Sequence, residues 1–194
     1  IVTLPLLTAG DTFTFNAFTQ TLTNKTLTAT ILGGTTNVSG GQLEFPAAQS
    51  ASTNANTLDD YEEGTWTPVI GGAGGTSGQT YSVQVGRYIK IGKLVWASYN
   101  CTLSAKGTIT GNVEIQGLPF TVDGVAHLLS PNMVVFDTLA TSWIALHNYV
   151  NVSTTSAVVR GIQAAAVSGN NALATADIAN TTALIGSIIY QAST

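Results

Sequence analysis

From residue 58 onward apolar and polar positions alternate in short runs, and these runs predict strands over residues 66–70, 81–91, 93–104, 108–117, 133–137, 143–152, 156–164 and 184–191. Turn signals separate them at 71–78, Gly92-Lys93, 105–107, Asp123-Gly124, 130–132 and 168–171. About eight short strands at this spacing predict an all-β fold, an antiparallel β-sandwich of jelly-roll type spanning 59–194. The clearest hairpin runs Tyr88-Ile-Lys-Ile91, turns at Gly92-Lys93 and returns as Leu94-Val-Trp-Ala-Ser-Tyr99. Its second strand carries Trp96 on one face and Val95 and Tyr99 on the other. A strand with large residues on both faces belongs at a sandwich centre or a subunit interface. The stretch 172–180, ALATADIAN, has a weak helical pattern and is assigned to a turn.

Residues 1–58 have a different texture. Short alternations such as Phe13/Phe15 and Leu27/Ala29/Ile31 are broken by Gly33-Gly34 and Gly40-Gly41, and the only charges are Asp11, Lys25 and Glu44. The apolar residues are too few and too spread out to build a core, and the low charge does not suit ordinary disorder. Such a segment makes sense as an extended stem in which copies of itself supply the missing burial. Residues 47–57, AAQSASTNANT, read as a linker or tight crossing. The opening IVTLPLLTA has no basic n-region and contains Pro5, unlike a signal sequence. With no initial Met, the chain reads as a fragment of something longer or a processed product.

Composition narrows the function. Charged residues make up 8% of the chain, against about 25% in an average soluble domain. Thr and Ser supply the polar surface instead, and Thr favours pleated strands. Six basic residues form no stripe able to neutralise a row of phosphates, so nucleic acid is not an expected partner. No apolar run is long enough for a membrane span. A domain of about 150 residues buries roughly 70% of its unfolded surface, so it needs no staple. The single cysteine, Cys101, lies in an alternating run and reads as a buried, inert thiol.

Two segments carry a resemblance. The first is Thr19-Gln-Thr-Leu-Thr-Asn-Lys-Thr-Leu27, preceded by Val2-Thr-Leu-Pro5. The second is Leu58-Asp-Asp-Tyr-Glu-Glu-Gly-Thr-Trp-Thr-Pro68, followed by Gly86-Arg-Tyr-Ile-Lys-Ile-Gly92 and Gly117-Leu-Pro-Phe-Thr121, with a closing stretch from Ala176-Asp-Ile to Gly186-Ser-Ile-Ile-Tyr190. In that order they resemble the C-terminal part of bacteriophage tail-fibre and virion-fibre proteins. The likeness covers most of 19–121 and the tail, and leaves 122–175 unmatched. It implies a homotrimeric fibre on a virion, bound to other tail proteins, whose β-structured distal domain attaches to a bacterial surface glycan or protein receptor. The unmatched stretch is where host recognition is expected.

Candidate sites follow. Trp143, His147, Asn148 and Tyr149 lie on or beside one predicted strand in the unmatched stretch, with His127 nearby in sequence. Aromatic faces stack on sugar rings while Asn and His give directional hydrogen bonds, so these five are the candidate glycan-binding residues; the bland alternative puts Trp143 and Tyr149 in the core or a trimer interface. Asp59, Asp60, Glu62 and Glu63 form the only acidic cluster, either a solvated junction accepting backbone N–H bonds or a Ca²⁺ site. His127 and His147 have no Cys or carboxylate at ligand spacing, so neither metal nor cofactor is assigned. No nucleophile elbow or zinc-protease motif occurs, and the Gly-rich 71–78 matches no phosphate cradle. Five N-x-S/T triplets, at Asn24, Asn37, Asn100, Asn151 and Asn180, carry little weight in a Ser/Thr-rich chain. The expectation is a non-enzymatic attachment protein. A tailspike-type depolymerase, which would need two well-separated acids in a groove, and a capsid-attached head fibre or decoration protein are the alternatives.

Overall fold

The computed structural model describes residues 37–54, 56–125, 132–163 and 171–193. The chain divides into two units, Ile1–Leu43 and Glu44–Thr194. Of the first, the described residues 37–43 hold a turn, in which the Gly41 amide donates to the Val38 carbonyl at 2.8 Å and the Ser39 amide to Asn37 Oδ1 at 2.9 Å. The predicted stem strands, the Thr-rich phrase at 19–27 and His127 lie outside the described residues.

The second unit is all-β. Its strands are β1 (Tyr61–Trp66), β2 (Val69–Gly72), β3 (Gly75–Ser77), β4 (Thr80–Ile91), β5 (Leu94–Ala105), β6 (Thr108–Thr110), β7 (Val113–Gln116), β8 (Met133–Leu139), β9 (Trp143–Val150), β10 (Ser156–Gln163), β11 (Asn171–Ala172) and β12 (Ile178–Gln191). They form one antiparallel sheet in the order β1-β4-β5-β12-β8-β9-β10-β7-β2, with β11 beside β10 and a separate β3-β6 ribbon. Instead of two independent sheets, the ladder runs on through β8: Met133 and Val134 pair with β9, while Val135 to Asp137 pair with β12. The two ends of the path, β1 and β2, are separated in sequence only by Thr67 and Pro68. The sheet therefore curls until its edges meet at this corner. Pro68 has no N–H to continue a ladder, and its carbonyl is held by Gln84 Nε2 at 2.9 Å and by the Cys101 thiol at 3.5 Å.

The predicted strands appear with local differences. The run 66–70 breaks at Pro68, and 108–117 breaks at Gly111, whose φ of 81° suits glycine. The presumed turn 71–78 contains β3. Residues 172–180 hold a single 3-10 turn, Thr175–Asp177, after which the chain enters β12 six residues before the predicted start at 184. The main miss is β1, which occupies the acidic stretch read as a junction.

The core fills the inside of the curl. Val95, Ala97, Tyr99, Cys101 and Leu103 point inward from β5, and Leu184, Ile188 and Tyr190 from β12, against Leu146, Ala157, Val159, Ile70 and Ile115 from the other half. Burial pushes the Cys101 thiol up to about 12. In native protein at pH 8, a thiol reagent should label Cys101 only at the rate of unfolding, and rapid stoichiometric labelling without denaturant would contradict this packing. Residues 44–58 belong with this unit: Ser52 N donates to Asp59 at 2.8 Å, Gln49 Nε2 to the same carboxylate at 3.3 Å, and the Phe45 and Tyr61 rings lie 6.4 Å apart.

Candidate functional site

The paired strands β1 and β4 bring the resembling segments together. Their register sets Gly64 opposite Tyr88, Thr65 opposite Arg87 and Trp66 opposite Gly86. Each glycine thus faces an aromatic residue. A Cβ on Gly64 would lie 2.8–2.9 Å from the Tyr88 ring and hydroxyl, and one on Gly86 2.6–2.7 Å from the Trp66 indole. Only glycine lets each ring lie over the neighbouring backbone. The Trp66 indole N–H then donates to the Ser98 carbonyl at 3.0 Å, and its ring meets Tyr99 edge-on.

Period-two alternation turns Tyr88 and Lys90 inward together with Asp60 and Glu62. Lys90, 2% exposed, is paired with Asp60, 4% exposed, donates to Gln49 Oε1 at 3.4 Å, and sits 5.3 Å from the centre of the Phe120 ring. A buried ammonium is tolerable only when paired in this way. Tyr88 donates its hydroxyl proton to Glu62 and packs edge-on to Phe120. Loss of hydration, and secondarily the Glu62 carboxylate, push the Tyr88 phenol up to about 12. Tyr190 closes the cluster: its hydroxyl accepts from the Phe120 amide at 3.1 Å and donates to the Phe120 carbonyl at 3.0 Å.

The acidic cluster is thereby dispersed. Asp60 and Glu62 face inward, Glu63 faces outward and accepts from the Tyr61 hydroxyl at 3.3 Å, and Asp59 holds the 49–52 loop. The Ser52 amide keeps the Asp59 carboxyl below its ordinary range. Among the described residues no three His, Cys, Asp or Glu side chains gather as metal ligands. The other buried acids have structural partners: Glu114 accepts from Asn151 Nδ2 at 2.9 Å and Gln116 Nε2 at 3.2 Å, and Asp177 accepts from Thr141 Oγ1 and, at 2.7 Å, from the Ala174 amide.

The candidate ligand residues on β9 are divided by the pleat. Trp143, 8% exposed, joins the core, and its indole N–H donates to Thr141 Oγ1 at 3.0 Å. Asn148, 5% exposed, ties the interior together: Tyr99 donates to its Oδ1 at 3.1 Å and its Nδ2 donates to the Ser187 carbonyl at 3.2 Å. Neither reaches the surface of the chain. Tyr149, 39% exposed, and His147 lie on the opposite face, where Arg160 stacks 5.0 Å from the Tyr149 ring centre and pairs across the strands with His147. That outward pair, joined by Arg160, is the part of the predicted set that a ligand could touch. Arg160 was missed because it lies on β10, and only strand register brings it beside His147.

A second surface is larger. On the outside of the β1-β4-β5-β12-β8 half, register aligns Ile89, Trp96 and Ile189 in one row and Val85, Asn100, Ile185 and Val135 in another. Between them runs a row of Arg87, Ser98 and Ser187, in which the two small serines leave a shallow trough of about 400 Å³ bordered by Arg87. Ile91 and Leu94 extend the apolar face along the strands, and Met133 borders the trough at the β8 edge. The sequence signal was the large residues on both faces of β5. Comparison of the chain with protein-family models, with curated proteins and with solved structures finds no match.

Proposed function

We propose that the chain is a structural, receptor-binding fibre protein of a bacteriophage virion, non-enzymatic, in which a trimeric N-terminal stem, without residues 44–58, precedes a jelly-roll-like β domain that attaches to a bacterial surface glycan or protein. The observation that carries this reading is the meeting of three separated segments, 58–68, 86–92 and 117–121, in one interlocked cluster. The likeness to fibre proteins rests on those segments, and their residues are each other's partners rather than scattered words. The low charge and the buried acids' structural roles agree with a scaffold. Attachment falls to the outward face of β9 and β10, where Tyr149, His147 and Arg160 offer a stacking ring and hydrogen-bond donors.

Light scattering should give three times the 20.0 kDa chain mass, and the labelled protein should bind some members of a bacterial panel. Three weak sites on one axis multiply into useful avidity, so Tyr149→Ala should cut cell binding at least tenfold at an unchanged melting temperature. A single-chain mass at micromolar concentration removes the fibre reading. Full binding by Tyr149→Ala moves the attachment site elsewhere.

A further inference from the structure

We infer that the outer face of the β1-β4-β5-β12-β8 half, centred on Trp96, is the surface through which copies of this chain pack against one another. The inference deepens the fibre reading, on which it rests for the number of copies. An antiparallel sheet that faces water on one side normally alternates apolar-in with polar-out. Here the outward side also carries large apolar residues, beside the polar Arg87, Ser98, Asn100 and Ser187. Inward stand Val95, Ala97 and Tyr99; outward on the same or paired strands stand Trp96 at 41% exposure, Val85 at 52% and Val135 at 65%. Cross-strand pairing makes the outward set contiguous, since Ile89 and Ile189 flank Trp96 directly.

The occupant follows from area and charge. With side chains of roughly 150–250 Å² for the aromatics and somewhat less for the aliphatics, the exposed fractions sum to an apolar face on the order of 800 Å², the share each partner gives to a stable interface and more than a monomer ordinarily leaves to water. The central rows carry one cation and one anion, Arg87 and Glu63, on adjacent strands with Glu63 opposite Ile89 and Thr65 opposite Arg87. With Asp137 one row beyond Val135 at the edge, the face carries few charges of mixed sign and does not strongly repel its own copy. In a rotational assembly the contact is heterologous, so Arg87 of one copy can meet Glu63 of the next while ridges of one face enter the neighbour's trough over Ser98 and Ser187. A nucleic acid or an acidic polymer would instead call for a row of cations that this face lacks.

Tryptophan fluorescence provides a direct test, because Trp66 and Trp143 are already buried at 9% and 8% exposure and Trp96 is the one that assembly would cover. Wild-type protein should elute at a multiple of the chain mass, with acrylamide quenching of all its fluorescence several-fold below that of free indole. Trp96→Glu and, independently, Val135→Arg should lower the melting temperature of the assembly while keeping the β circular-dichroism spectrum, and Val135→Arg should raise the acrylamide quenching of Trp96 even where the stem still holds the copies together. If Trp96→Glu fails to fold, the quenching of wild type and the exposed Val135→Arg variant still decide. A wild-type assembly with a freely quenched tryptophan, or one whose quenching Val135→Arg leaves unchanged, overturns this surface and leaves the fibre reading standing. A monomeric wild type overturns both.

Discussion

Asp60→Ala should destabilise the β domain by about 3–5 kcal/mol, measured by denaturant unfolding at fixed protein concentration. The reason is the partner left behind. Lys90 is 2% exposed, and its ammonium would lose the carboxylate it pairs with, keeping the Gln49 carbonyl, the face of Phe120 and the cross-strand Glu62, whose carboxylate is already engaged by Tyr88. Removing both charges is a different matter. A Lys90→Met, Asp60→Leu double variant takes neither charge out of water and should recover most of the loss, since apolar replacements of buried pairs are often neutral. A single variant within about 1 kcal/mol of the parent would mean that Lys90 escapes to solvent and that the cluster is loosely held.

The second large effect concerns the reciprocal glycine–aromatic pairs. Trp66→Ala should cost about 3–5 kcal/mol, because it removes a buried indole and leaves the corner between β1 and β2 hollow. Gly86→Ala should cost about 1–3 kcal/mol on its own, as the new methyl collides with that indole. In the Trp66→Ala background the same methyl meets empty space, so Gly86→Ala should cost close to nothing and can even refill part of the cavity. The double-mutant cycle therefore shows strong coupling. Additive losses would mean that Gly86 is required for its backbone alone and that Trp66 does not lie over it.

These two clusters explain why parts of the fold were hidden. The acidic cluster Asp59, Asp60, Glu62 and Glu63 reads as a solvated junction or a Ca²⁺ site, with the first strand opening at Trp66, because carboxylates are depleted in strands. Its carboxylates are accommodated by Lys90 and Tyr88, residues some thirty positions away, that only strand pairing supplies. The candidate ligand set failed to stay together for a related reason. Trp143, His147, Asn148 and Tyr149 are close in sequence, but a strand sends neighbours to opposite faces, and a β-bulge where β9 and β10 pair further shifts the phase near Trp143. Cys101, by contrast, was read correctly as a buried thiol, because its neighbours at every second position are large and apolar.

By itself, then, the chain's alternation determined the β class, the hairpin at Gly92-Lys93, most strand positions, and the placing of Trp96 on the face opposite Val95 and Tyr99. These follow from local sterics and a period of two, which need no distant partner. Which face would be inside was left to the tertiary structure. The alternation on β5 favours burying Val95, Ala97, Tyr99, Cys101 and Leu103, whereas on the paired β4 it favours Val83, Val85, Ile89 and Ile91, which the structure exposes, so local pattern gives conflicting answers. The choice was made where the sheet curls at Thr67-Pro68 and continues through β8, bringing Leu146, Val159 and Ile70 against Tyr99 and leaving Trp96 outside. Long-range closure decides which face is buried, because a core forms only where a second surface arrives to exclude water.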